Sequence, residues 1–202
     1  TEVAFRNDRR YLNNLHRIPY TLRPRGDVLI IGAGGGQEID DALSTAEPGY
    51  TRQIDAVEVA DGMPILMRRR FGHLPGFLLD QPGVRYAVAD GRPFVERSSR
   101  RWDVIQMKEL NFHTLAGQTS AVWSPSLLFT DEAFQADFAH LTNDGLFSFV
   151  HYTPGNVVDQ GQHMLVSMRV AADRLKMPLG PRTAILQRPY AEGFRRMILI
   201  GR

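Results

Sequence analysis

A short apolar run that ends in a cluster of glycines constrains this chain more than any other feature. Val28-Leu29-Ile30-Ile31 is uninterrupted by a polar group and rich in β-branched side chains. Such a run reads as a strand buried on both faces, as in a parallel sheet with helices on either side. Gly32-Ala33-Gly34-Gly35-Gly36 follows at once, and 37–46 then carries Ile39, Ala42 and Leu43 at helical spacing. Strand, glycine turn and helix together open a doubly wound α/β domain.

The alternation continues along the chain. A second strand is read at 56–59, its one acid at the C-terminal end, and a helix at 63–71. A third strand at 84–88 ends at Asp90-Gly91, and a short helix follows at 92–97. The fourth strand is 102–107. The stretch 108–130 is too long for a simple connector and is read as a substrate loop that orders over ligand. A helix at 131–141, a turn at 143–145, a fifth strand at 146–150 and a helix at 162–175 come next. The last two strands, 183–187 and 196–200, have no helix between them, so they form an antiparallel pair at the sheet edge. The fold class is therefore α/β, a doubly wound and mostly parallel sheet. Residues 1–26 are an Arg-rich helical lead-in in which Tyr11, Leu12, Leu15, Ile18 and Leu22 give the apolar rhythm, and 27–202 is the domain proper.

Composition removes several classes of function. The chain has 202 residues and no cysteine, which excludes a disulfide scaffold, a cysteine-ligated metal and a thiol nucleophile. The 24 basic residues nearly balance the 22 acids, and only Lys108 and Lys176 are lysine. The arginine clusters at 9–10, 68–70 and 100–101 are short and scattered, so they read as solvated faces and nucleic acid is not expected as a partner. The longest uncharged stretch, 110–130, is too polar for a bilayer, so no membrane contact is expected from this segment. The histidines lack metal-ligand spacing and no metal is expected. The chain begins at Thr1 without a methionine and is expected to be a piece of something longer, located in the cytoplasm.

In a doubly wound sheet, ligands bind at the carboxyl ends of the strands. Three such ends carry marked residues. The glycines at 32 and 34–36 let the backbone turn sharply and let a ligand reach the free N–H groups of the next helix. Glu58 ends the second strand, where a carboxylate can accept both hydroxyls of a ribose. Asp90 and Gly91 end the third strand, where they can meet an adenine edge, although Asp90 equally suits a helix N-cap. The strict G-x-G-x-x-G spacing is absent, because Gln37 stands at its last position. An adenosyl ligand therefore fits better than a redox dinucleotide. Farther along, His113 is a candidate general base, and His151 and Tyr152 lie on the ligand side of the fifth strand. Phe112, Trp123 and Phe129 are candidates to roof a pocket. Asp103 is read as structural and His140 as a surface residue.

The series VLIIGAGGGQE, IDAVEVAD, VRYAVADGRPFVERSSRRWDVIQM and SLLFTDEAFQADFAHLTNDGLFSF resembles the spermidine synthases and their spermidine-synthase-like relatives. These belong to the class I S-adenosylmethionine-dependent methyltransferase superfold, whose sheet has seven strands. The resemblance implies that Gly32, Gly34 and Gly36 cradle the methionine-derived part of the ligand. It implies that Glu58 takes the ribose and Asp90 with Gly91 the adenine. Ala33, Gly35, Val59 and Met107 complete the implied cofactor-binding set. The implied cofactor is S-adenosylmethionine or its decarboxylated form, the partner is a small-molecule acceptor, and a homodimer is compatible. The chain also departs from the family pattern. Spermidine synthases carry an aspartate in the glycine loop where Gly35 stands, and an acidic segment after the fourth strand where Lys108 and Glu109 stand. Their N-terminal β-region is here a short helical lead-in. Glu109 is the one nearby acid able to replace the missing base. The departures favour methyl or another alkyl transfer over polyamine synthesis, with a non-catalytic nucleoside-binding domain as the alternative.

Overall fold

The computed structural model describes residues 15–73, 76–108, 127–154, 160–190 and 193–202. Seven strands form one sheet in the order β3-β2-β1-β4-β5-β7-β6. They are β1 Val28–Ile31, β2 Ile54–Glu58, β3 Val84–Val88, β4 Trp102–Lys108, β5 Leu141–Pro154, β6 Thr183–Tyr190 and β7 Gly193–Gly201. The first five are mutually parallel. β7 runs antiparallel between β5 and β6, so the expected antiparallel pair closes one edge. β1 pairs with both β2 and β4. The strand order reverses between β1 and β4, which opens a crevice at their carboxyl ends.

The side-chain period of two explains the layering. Leu29 and Ile31 of β1 point into the larger core with Ile105, Phe147 and Phe149, while Val28 and Ile30 point into a second core with Ile54, Ala56 and Val104. On the larger core's side, α4 Gly91–Glu96, α5 Asp131–Ala139 and α6 Gln160–Arg174 follow their strands. On the other side lie α1 Ile18–Leu22, α2 Gln37–Ser44 and α3 Gly62–Phe71. Among the described residues no helix is long and apolar enough to cross a membrane.

The lead-in docks on this second side. Leu15 and Ile18 pack against Leu146, Val150, Met197 and Leu199. Leu22, expected on the same apolar face, is exposed instead, because this helix is only five residues long and ends there. Arg52, 1% exposed, ties the layer together. Its guanidinium donates to Ala42 O and Thr45 Oγ1 at the end of α2 and to Tyr20 O and Arg23 O at the end of α1. A cation between two helix C-termini meets the negative ends of both dipoles.

Several expected boundaries move. β2 begins at Ile54, so Asp55 lies inside the strand. This buried carboxylate accepts from Arg85 Nε (2.7 Å) and Trp102 Nε1 (2.8 Å) and pairs with Arg100 at 2.9 Å. Charged partners on neighbouring elements let an acid sit where an apolar pattern excludes one. α5 stops at Ala139 and β5 starts at Leu141. The expected turn at 143–145 is a bulge within β5, where pairing jumps from Trp102–Leu141 to Val104–Leu146. Asp103 anchors that edge, accepting from Asp27 N (2.8 Å) and Thr142 Oγ1 (2.7 Å). His140 is no surface residue. It is partly buried, with ring nitrogens 2.8 Å from Ala136 O and 3.0 Å from Ser98 O.

Candidate nucleoside site

The glycine loop is built by strand ends and packing. Gly32 N and Ala33 N both donate to Val57 O, at 2.9 and 3.0 Å, which carries the β1–β2 contact past the strand. Gly36 N closes the turn on Ala33 O at 2.9 Å. Gly34 and Gly36 have φ of +47° and +87°, a region that a side chain enters only at a cost. Gly36 is also sterically held. A Cβ there would stand 3.1 Å from the Met67 methyl and 3.2 Å from Leu78 Cδ1. At Gly34 and Gly35 a Cβ would meet nothing within 4 Å. The loop is thus packed from behind and open in front, which is the space an adenosyl ligand needs over the main chain. Gly36 is the N-cap of α2, and among the described residues no side chain caps the first-turn N–H groups.

Glu58 holds this loop. It lies at the carboxyl end of β2 and is buried. Its Oε2 accepts from Gly34 N and its Oε1 from Ala60 N, each at 2.9 Å. A carboxylate oxygen has two acceptor sites, so each keeps one after these bonds. Tyr86, which the sequence reading missed, donates from its hydroxyl to Gly34 O at 3.0 Å. Burial and the Glu58 charge push its phenol up to about 12, so Tyr86 stays a protonated donor. Glu58 and Tyr86 clamp the N–H and the C=O of one peptide region from two neighbouring strands. The signal in the sequence was a lone tyrosine in VRYAV, which a strand pattern cannot tell from a packing aromatic.

The remaining expected site residues are placed as follows. Asp90 is exposed, and its Oδ1 accepts from Arg92 N at 3.0 Å as the N-cap of α4. Gly91 is buried, and a Cβ there would stand 2.5 Å from Ile31 Cγ2, so its smallness lets α4 pack on the end of β1. Val59 follows β2 and is exposed. Met107 points into the larger core, 1% exposed, at the register of Ile31 and Phe149. Lys108 ends β4 opposite Val150. Phe129 packs edge-on against Phe149 at 5.8 Å between ring centres. His151 stacks on Phe149 at 5.5 Å between ring centres. Burial and the nearby Arg196 lower its imidazole to about 4, which keeps it neutral near neutral pH. Glu109, Phe112, His113 and Trp123 lie outside the described residues. Among the described residues no group of three His, Cys, Asp or Glu stands where it could hold a metal ion.

No family model matches the chain. The polyamine aminopropyltransferase of Thermotoga maritima is 30% identical over 144 residues, which is 68% of this chain and 43% of that protein. Its counterparts in Thermotoga petrophila and Thermotoga neapolitana match equally. The chain therefore spans less than half the length of the curated relatives it matches. Among solved structures, spermidine synthase from Thermotoga maritima superposes with a TM-score of 0.60 at 23% identity, over 92% of this chain and 58% of that one. A SAM-dependent methyltransferase from Agrobacterium tumefaciens gives 0.60 at 11%, over 93% and 61%. An rRNA methylase from Streptococcus thermophilus gives 0.55 at 11%, over 92% and 93%. With such a neighbour, the exclusion of nucleic acid read from the sequence has no support.

Strand order, the antiparallel β7 and these neighbours define the class I SAM-dependent methyltransferase fold. Within that class the chain is spermidine-synthase-like, as its polyamine aminopropyltransferase relatives and the glycine-loop sequence together indicate.

Proposed function

We propose that this chain binds S-adenosylmethionine across residues 32–36 and transfers an alkyl group, methyl in the favoured reading, to a small acceptor. One observation carries the reading: Glu58 reaches the glycine loop while each of its oxygens keeps an acceptor site for a ribose hydroxyl. The open space over Gly34 and Gly35 supports it. Gly35 puts no carboxylate beside an aminopropyl ammonium. The uncapped start of α2 offers main-chain N–H groups to the amino-acid carboxylate that only the non-decarboxylated ligand carries. Asp90 meets the adenine edge with the oxygen that does not cap α4. The division at 26/27 belongs to the same proposal, with the lead-in as a brace behind α2.

Bound here, the sulfonium supplies an electrophilic carbon. The residues of this chain supply alignment and exclusion of water. A polyamine aminopropyltransferase is the second reading, and the relatives of that name favour it.

Calorimetry with S-adenosylmethionine, its decarboxylated form and methylthioadenosine tests the proposal. The full ligand is expected to bind most tightly. Glu58→Ala is expected to lose about 2–4 kcal/mol of that affinity. Equal affinities in wild type and variant would remove the ribose assignment. Turnover of putrescine with the decarboxylated ligand would establish the second reading, and binding without any turnover would make this a nucleoside-binding domain only.

A further inference from the structure

The outward face of α3 is apolar and basic at once. Met67 is buried and points inward, its methyl set against Gly36. Ile65 and Leu66, both more than half exposed, point outward. Arg69 and Arg70 stand one turn farther on at i+4 from each, so the four side chains neighbour one another on the helix surface. Phe71, at the end of the helix, is also more than half exposed, but it stands one turn beyond Met67 and so lies off the face of Ile65 and Leu66. Arg68 is engaged, bonded to Asp80 at 2.8 Å and lying over the Phe77 ring. Arg69 and Arg70 make no ion pair or hydrogen bond among the described residues. Isolated surface apolars need no explanation, but large ones gathered beside unpaired arginines mark an interaction face.

Charge decides what covers it. A second copy of the same face would set Arg69 and Arg70 against like charges. A nucleic-acid backbone would pair with the arginines and gain nothing from Ile65 and Leu66. A surface that is anionic at its boundary and apolar just beneath satisfies both kinds of side chain, as with helices that lie in a membrane interface. The geometry points to α3 as a peripheral docking face for an anionic phospholipid surface, presenting Ile65 and Leu66 to the acyl boundary and Arg69 and Arg70 to the headgroups. Because α3 backs the glycine loop through Met67, docking holds the carboxyl end of β1 close to the membrane. The inference stands apart from the transferase reading. A search of the sequence for membrane spans misses it, since only the three-dimensional fold shows that Ile65 and Leu66 face outward.

Co-sedimentation of the full chain with phosphatidylcholine vesicles, with and without phosphatidylglycerol (about 1:2), tests it. The protein is expected to sediment with the mixed vesicles, to stay in solution with phosphatidylcholine alone, and to be released by high salt. The Ile65→Ser/Leu66→Ser and Arg69→Gln/Arg70→Gln variants are each expected to bind about tenfold more weakly or worse, with circular dichroism and calorimetric ligand binding unchanged. Loss of ligand binding with vesicle binding intact would count against the nucleoside site and leave this face standing. Failure of the wild type to sediment, or variants that sediment like the wild type, would overturn the proposal. Retention on a duplex or structured RNA with no vesicle binding would overturn it in favour of a nucleic-acid face.

Discussion

Asp137 is a carboxylate in the wrong solvent, and the protein should be more stable without it. It lies in α5 between Phe134 and Phe138, is itself buried, and its Oδ2 has no hydrogen-bond partner. Burial disfavours the charged form and raises the carboxyl from 3.8 to about 8. At about 1.36 kcal/mol per unit this amounts to about 5–6 kcal/mol between the two protonation states, of which about 4 is expressed at pH 7. The sign follows from proton counting. The unfolded chain gives up this proton near pH 3.8 and the folded chain keeps it to about pH 8. The folded state therefore holds more protons across that window, and stability falls as pH rises through it. Asp137→Asn removes the titration and keeps the shape. Allowing for water that reaches the ionised carboxylate, the variant should gain about 2–4 kcal/mol near pH 8 and differ little near pH 4. Urea unfolding of both proteins across that range measures it. A gap that stays constant with pH, or a less stable variant at alkaline pH, would refute the reasoning.

Two further outcomes follow from the geometry. Arg52→Met should cost about 3–5 kcal/mol in a denaturant titration, because four acceptors at the ends of α1 and α2, two of them in buried bonds, lose a charged donor; a loss below about 1 kcal/mol would mean that water replaces the guanidinium. Gly36→Ala should destabilise the fold by about 1–2 kcal/mol through its left-handed backbone alone, with the contacts to Met67 and Leu78 adding to it. Gly35→Ala should leave stability unchanged and weaken nucleoside binding, a contrast that thermal melts and calorimetry on the same pair of variants can read.

The fold was legible because its signals are local. Each parallel strand contains a short run rich in apolar residues, each is followed by a helix, and the two final strands have only a turn's worth of residues between them. The misplaced boundaries share one cause, which is tertiary compensation. Asp55 enters β2 because Arg85, Arg100 and Trp102 arrive from other elements to meet it. Asn143-Asp144-Gly145 stays in β5 although it reads as a turn. Arg23 donates to Asp144 O from far back in the chain, and β4 tolerates the jump in register. No window of sequence around either position contains the partner that decides it.

The site divides along the same line. Glycines at 32, 34 and 36 could be read directly, since a positive φ after a buried strand leaves few other residues. Their reasons nevertheless differ, and only the fold separates them. Gly36 is favoured by its left-handed backbone, with Met67 and Leu78 crowding any Cβ there, while Gly91 lets α4 close on Ile31. Gly35 is needed by neither packing nor backbone, as its φ is not positive and its front is open. The fold does not require a glycine at that position, and under the proposed function the ligand is what would use it. An aspartate would fit there without strain and would attract the ammonium of a decarboxylated ligand. A glycine leaves the main-chain N–H groups at the start of α2 exposed to a carboxylate. On the proposed reading position 35 is where the two transfer chemistries would part, and Gly35→Asp should then move the preference toward the decarboxylated ligand without touching the core.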